Sequence, residues 1–119
     1  MARYVDVYVL PIPTKNVPAY RKIARQAARV WREHGALQYC EAVGQDLRPR
    51  PFVPFPRVMK CKPGETVVFA WIVFRSRAHR DKVNASVMKD PRLAGMAKQP
   101  MPFDHKRMAY GGFEILVDF

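Results

Sequence analysis

From Thr66 to Phe74 the chain reads Thr-Val-Val-Phe-Ala-Trp-Ile-Val-Phe, without a charge, a glycine or a proline. A strand turns successive side chains to opposite faces. Val67, Phe69, Trp71 and Val73 therefore share one face, and Val68, Ala70, Ile72 and Phe74 share the other. Both faces are apolar, which calls for cover on both sides. A chain of 119 residues folding as two layers covers only one face of its sheet. The sequence thus predicts a further layer, which a second copy of the chain supplies at least cost.

Composition narrows the classes. The length suits one domain over 1–119, able to bury a core without a disulfide or metal staple. Twenty-one Lys and Arg against ten Asp and Glu give a net charge of +11, which favours acidic ligands, polyanions or anionic surfaces. The basic residues are spread over two helices and a loop rather than gathered in one arm, and read mainly as solvated faces. The opening residues alternate like a strand and lack the plan of a secretion signal, and no apolar run reaches membrane-spanning length. A cytoplasmic protein with no membrane partner is expected. Cys40 and Cys61 lack metal-type spacing and read as free packing thiols.

Along the chain, Tyr4–Pro11 reads as a strand with Val5, Val7 and Val9 on one face and Tyr4, Asp6 and Tyr8 on the other, ended by Pro11 and Pro13. Asn16 as N-cap and Pro18 in the first turn open a helix whose apolar positions recur at three-and-four spacing until Gly35. Its outward face carries Arg21, Lys22, Arg25, Arg29 and Arg32. A strand over Leu37–Val43 follows, then an extended connector in which Pro49, Pro51, Pro54 and Pro56 forbid ladder pairing. After the Glu65–Phe74 strand, Ser76 caps a helix to about Lys89, Asp90-Pro91 interrupts it, and a short turn of helix covers Leu93–Met96. Gln99–Arg107 reads as loop. Met108–Phe119 reads as the last strand, with Phe113, Ile115, Val117 and Phe119 inward and a bulge at Gly111-Gly112. The order β-α-β-β-α-β is that of an α+β, ferredoxin-like sandwich: an antiparallel four-stranded sheet with both helices on one face.

Particular residues carry a resemblance. Phe69-Ala70-Trp71-Ile72, Asp90-Pro91-Arg92-Leu93, Met101-Pro102-Phe103-Asp104, Lys106-Arg107-Met108 and Tyr110 to Glu114, with Tyr4-Val5-Asp6 and Gly35-Ala36-Leu37, are similar to the YbaA-like family of small bacterial proteins, a domain of unknown function. The resemblance spans nearly the whole chain. It implies the dimeric α/β-barrel fold, in which two ferredoxin-like subunits appose their sheets, and it brings no established reaction. Two departures stand out. His105 occupies the place where Gly is expected between Asp104 and Lys106, and the connector is richer in Pro and Arg than the family pattern.

The loop 101–112 holds Asp104, His105, Arg107 and Tyr110, an acid, a possible base, a cation and a phenol, and these are the candidate catalytic residues. In that role Asp104 or His105 moves a proton, Arg107 stabilises an oxyanion and Tyr110 orients the ligand. Set against this, Asp104 caps the loop, Arg107 pairs with a carboxylate such as Asp90, and Tyr110 packs at the dimer seam. Phe69, Trp71, Arg92 and Phe103 are the candidate ligand-binding residues, against a structural alternative in which the aromatics are core and Asp90-Pro91-Arg92 only ends a helix. No metal and no cofactor are implied: His34, His79 and His105 are far apart, and no Cys-x-x-Cys, Gly-x-Ser-x-Gly or phosphate-binding Gly loop occurs.

Two classes of function follow. The leading one is a homodimer that binds, and is a candidate to transform, a small organic molecule in a pocket between sheet and helices. The alternative is a non-catalytic basic module for a polyanion such as RNA. The RNA-recognition motif shares the strand order, yet Glu65–Phe74 lacks that motif's basic residue and glycine, and dimer packing would cover its platform, so nucleic acid is the weaker partner.

Overall fold

A computed structural model of the chain describes residues 2–119. Four strands, β1 (Tyr4–Pro13), β2 (Gln38–Val43), β3 (Glu65–Phe74) and β4 (Ala109–Glu114), form one antiparallel sheet in the order β2-β3-β1-β4. The helices are α1 (Val17–Glu33), α2 (Phe55–Val58), α3 (Arg77–Met88) and α4 (Pro91–Ala97). This is the expected α+β sandwich.

β1 outlasts its prolines and pairs with β3 as far as Pro13. Its pairing with β4 stops at Val9, so beyond that point β1 has one neighbour, and the missing N–H groups of Pro11 and Pro13 leave no second ladder broken. α1 ends in a Schellman motif: Gly35, at φ +115°, donates its N–H to Arg32 and Ala36 donates to the Trp31 carbonyl. Asn16 does not cap α1 through its side chain. Its amide donates instead to the Pro102 carbonyl at 2.9 Å, fastening the 101–108 loop to the start of the helix.

Three other expectations are corrected. The connector is not wholly extended, because Pro54 and Pro56 fall at the N-cap and first turn of α2, where a missing N–H costs nothing. The turn expected at Leu93–Met96 is longer, since the Asp90 side chain accepts from the Arg92 N–H and starts α4. β4 stops at Glu114 and pairs with β1 in unbroken register through Gly111 and Gly112, so there is no bulge. Phe113 is 56% exposed, Val117 68%, and Phe119 fully exposed rather than inward.

The core lies on one face. Tyr4, Asp6, Tyr8, Leu10 and Ile12 of β1 stand level with the Thr66-to-Phe74 alternates of β3, and the helices bury Val30, Trp31, Val83 and Val87 against them. The opposite face carries Val5, Val7 and Val9, Phe69 and Trp71, and Phe113. The first five are half-buried.

Candidate functional site

The helix-facing side of the sheet is less apolar than a core requires. β1 sends Asp6 and Tyr8 into it, β2 sends Tyr39 and Glu41, and β4 sends Tyr110. Tyr20 faces them from α1, so with Tyr4 all five tyrosines of the chain lie in this layer. Ala70 is the partner of both Tyr8 and Glu41 across the sheet, and its small side chain leaves room between them.

Two polar clusters result. In the first, Asp6, completely buried, accepts from Arg80 Nη1 at 2.7 Å and from Asn84 Nδ2 at 3.1 Å. Asn84 Oδ1 accepts from the Trp31 indole at 3.0 Å, and Arg80 also donates to the Tyr110 hydroxyl at 2.9 Å. A carboxylate at that depth is tolerable because both oxygens are paired. In the second cluster the Glu41 carboxylate accepts from the Tyr20 hydroxyl on one oxygen and from the Tyr39 hydroxyl, at 2.6 Å, on the other. Burial, followed by the negative charge of Glu41, pushes both phenols far above the ordinary tyrosine range. They remain donors.

Beside Glu41 opens a cleft of about 340 Å³ between α1 and β2, floored by Ala24 and Val68, walled by Tyr20 and Tyr39, and rimmed by Arg21 and Arg25. Its size suits a small organic ligand.

The residues marked out from sequence do not gather there. Asp104 accepts from the Lys106 N–H at 3.0 Å and caps the short turn His105–Arg107. His105 lies against the Phe103 ring, centroids 4.8 Å apart. Arg107 forks onto Glu65, both contacts at 2.7 Å, and onto the Lys60 carbonyl; its partner is Glu65, not Asp90. Tyr110 stacks on Tyr8 at 4.7 Å. Arg92 is spent on Asp90 and Glu33. Phe69 and Trp71, 5.7 Å apart, lie on the opposite face of the sheet. Phe103 alone adjoins the cleft, edge-on to Tyr20 at 5.5 Å.

Compared with known families, residues 3–105 match the protein family of unknown function DUF1428. The chain belongs to that family. The uncharacterized protein YbaA of Escherichia coli K12, similar to this DUF1428 member over 98% of both chains, is 40% identical across 116 residues. Among solved structures the fold is similar to that of a dimeric ferredoxin-like protein from an uncultured marine organism (TM-score 0.63, 8% identity, all of both chains). It is also similar to Rv0793 of Mycobacterium tuberculosis (0.60, 14%, 98% of both chains). SnoaB of Streptomyces nogalater, described as a cofactor-independent oxygenase, follows at 0.54 and 13%, covering 99% of this chain and 97% of its own. Among the described residues of this DUF1428 chain, no helix is long and apolar enough to cross a membrane.

Sequence reasoning missed Glu41, Tyr39 and Tyr20. A signal was there: Glu41 falls on the inward alternation of β2, between Tyr39 and Val43, where a carboxylate needs partners. What hid it was that Tyr20 fits the apolar stripe of α1 equally well as packing.

Proposed function

We propose that this DUF1428 protein is a cytoplasmic homodimer that binds a small organic molecule in the cleft between α1 and β2. The observation that carries this is the Glu41 carboxylate, held by two phenols beside an open cleft in a layer the fold would otherwise fill with core. Pairing is supported by the sheet face opposite the helices, where half-buried Phe69 and Trp71 and exposed Phe113 would pack against a second copy, and by the protruding Leu116, Val117 and Phe119. In this reading Phe103 supports the cleft wall from behind Tyr20, and Glu41 is the group that meets the ligand. Asp104, His105, Arg107 and Tyr110 hold the loop and the last strand in place behind it.

Native mass spectrometry tests both parts. The purified protein is expected at twice the chain mass with a co-purified small molecule. Ala28 also lines the cleft, and Ala28→Trp, which fills it, should keep the dimer and lose the molecule. A monomer at micromolar concentration, or a ligand retained by Ala28→Trp, would overturn the reading.

A second reading is a module for a polyanion, favoured by the exposed Arg21, Lys22, Arg25 and Arg29 along α1. Affinity for single-stranded RNA falling steeply with salt would support it, because each phosphate neutralised releases counterions.

A further inference from the structure

The cleft beside Glu41 is lined by charged groups of opposite sign. Arg21 and Arg25 are one turn apart on α1, both exposed at the rim, and neither forms an ion pair among the described residues. Arg29, one turn further along α1, is also exposed and without an ion pair among the described residues, but it does not line this cleft, and other arginines are committed elsewhere. Arg80 and Arg92 are locked to carboxylates, and Arg32 donates to the Ala36 and Leu37 carbonyls. Two unspent guanidiniums one turn apart make a clamp for a carboxylate. The same lining includes Glu41, an acceptor with four lone-pair sites, two of them filled by Tyr20 and Tyr39. Small apolar side chains, Ala24 and Val68, and two phenol rings complete the lining.

Each charged group disfavours a class of ligand. A fatty acid would satisfy the arginines, but its tail would strip water from Glu41 and return no donor, a loss of about 10-fold or more in affinity. A polyphosphate or nucleic-acid strand would lay negative charge against the same carboxylate. A neutral aromatic would leave the arginine pair idle. We infer that the ligand is a small aromatic acid that also carries a hydroxyl or amino donor, its carboxylate clamped by Arg21 and Arg25, its ring over Ala24 and Val68, and its donor on Glu41. This inference rests on the cleft being the ligand site.

Isothermal titration and backbone-amide NMR with three probes test it: 4-hydroxyphenylacetate, its amide, and phenylacetate. The hydroxy acid should bind most tightly, with the amide and phenylacetate each weaker by about 10-fold or more, the equivalent of one charge-assisted contact. In the doubly substituted Arg21→Gln, Arg25→Gln protein the acid and its amide should bind alike. In Glu41→Gln the two acids should draw together. Both arginines are exposed, so their replacement leaves the fold intact. Equal binding of acid and amide at the cleft, unchanged by the arginine substitutions, would overturn the acid assignment and leave the cleft as a ligand site. Absence of any cleft resonance shift at millimolar probe, with a co-purified molecule retained by Ala28→Trp, would overturn both.

Discussion

Glycine at position 112 shows how one residue answers to a distant pair. A Cβ there would lie 2.6 Å from the Tyr4 hydroxyl and 2.8 Å from Arg80 Nη1, in the space through which Arg80 reaches Asp6. Gly112→Ala is therefore expected to cost about 1 to 3 kcal/mol. At Gly111 the added methyl meets only the Phe113 ring at 3.4 Å, and Gly111→Ala should cost markedly less. Urea unfolding of both variants checks the contrast. Arg80→Met leaves the Asp6 carboxylate buried without its cation and should cost about 3 kcal/mol or more by the same measurement. The tyrosines give a pH signature. Burial first, then nearby carboxylates, raises the pKa values of Tyr8, Tyr20 and Tyr39 above that of a free phenol. A folded-state pKa raised in this way adds stability below pH of about 10 that is lost as pH climbs further. Tyrosinate absorbance should show these phenols ionising together with alkaline unfolding, not before it.

Elements are joined by a few charged side chains rather than by their caps alone. Arg107, from the turn before β4, forks onto Glu65 at the start of β3 and onto the connector at Lys60, so three segments meet at one guanidinium. That fork, outweighing the opposing effect of burial, holds the Glu65 carboxyl down at about 2. The depressed value means the link stabilises fully above the unfolded Glu pKa of about 4.3 and fades as pH falls from there towards 2. Arg107→Gln should accordingly be less stable than the parent chain near neutrality, with the difference vanishing in strong acid, as thermal melts across pH would register. The boundaries of most elements were legible because local chemistry sets them: Ser76 accepts from the His79 N–H to start α3, and Gly35 ends α1. β4 was not, because Ile115, Val117 and Phe119 continue its alternation although the ladder with β1 ends at Tyr4, followed by a single bond from the Ile115 N–H to the Arg3 carbonyl at 2.9 Å. Pattern records what a strand wants to bury; only the neighbour decides where pairing stops.

For the whole molecule, the doubly apolar β3 has its consequence in a sheet with one face under helices and the other bearing half-buried Phe69 and Trp71. Placing a charge there should break a homodimer, whereas the same charge on the outer face of α1 should not. Sedimentation at micromolar concentration is expected to find Trp71→Glu monomeric and Arg29→Glu dimeric. A Trp71→Glu protein that sediments as the parent does would remove this face from the assembly.

Fold class, the chain order of the main elements, the end of α1 and the start of α3 followed from periodicity and local signals such as Gly35 and Ser76, which are short-range and carried by neighbouring residues. The candidate site did not. Tyr20 and Glu41 are 21 positions apart, and Asp6 and Arg80 are 74 apart, so each pair exists only once α1 and α3 cross the sheet at one register. The loop richest in ionisable residues turned its side chains to capping and cross-links, because their nearest partners, such as Glu65 for Arg107, lie in other segments. Which face an alternating strand buries is likewise absent from the alternation itself. It took the packed helices to make Asp6, Tyr8, Tyr39 and Glu41 the inner side, and to leave the valines of β1 outside.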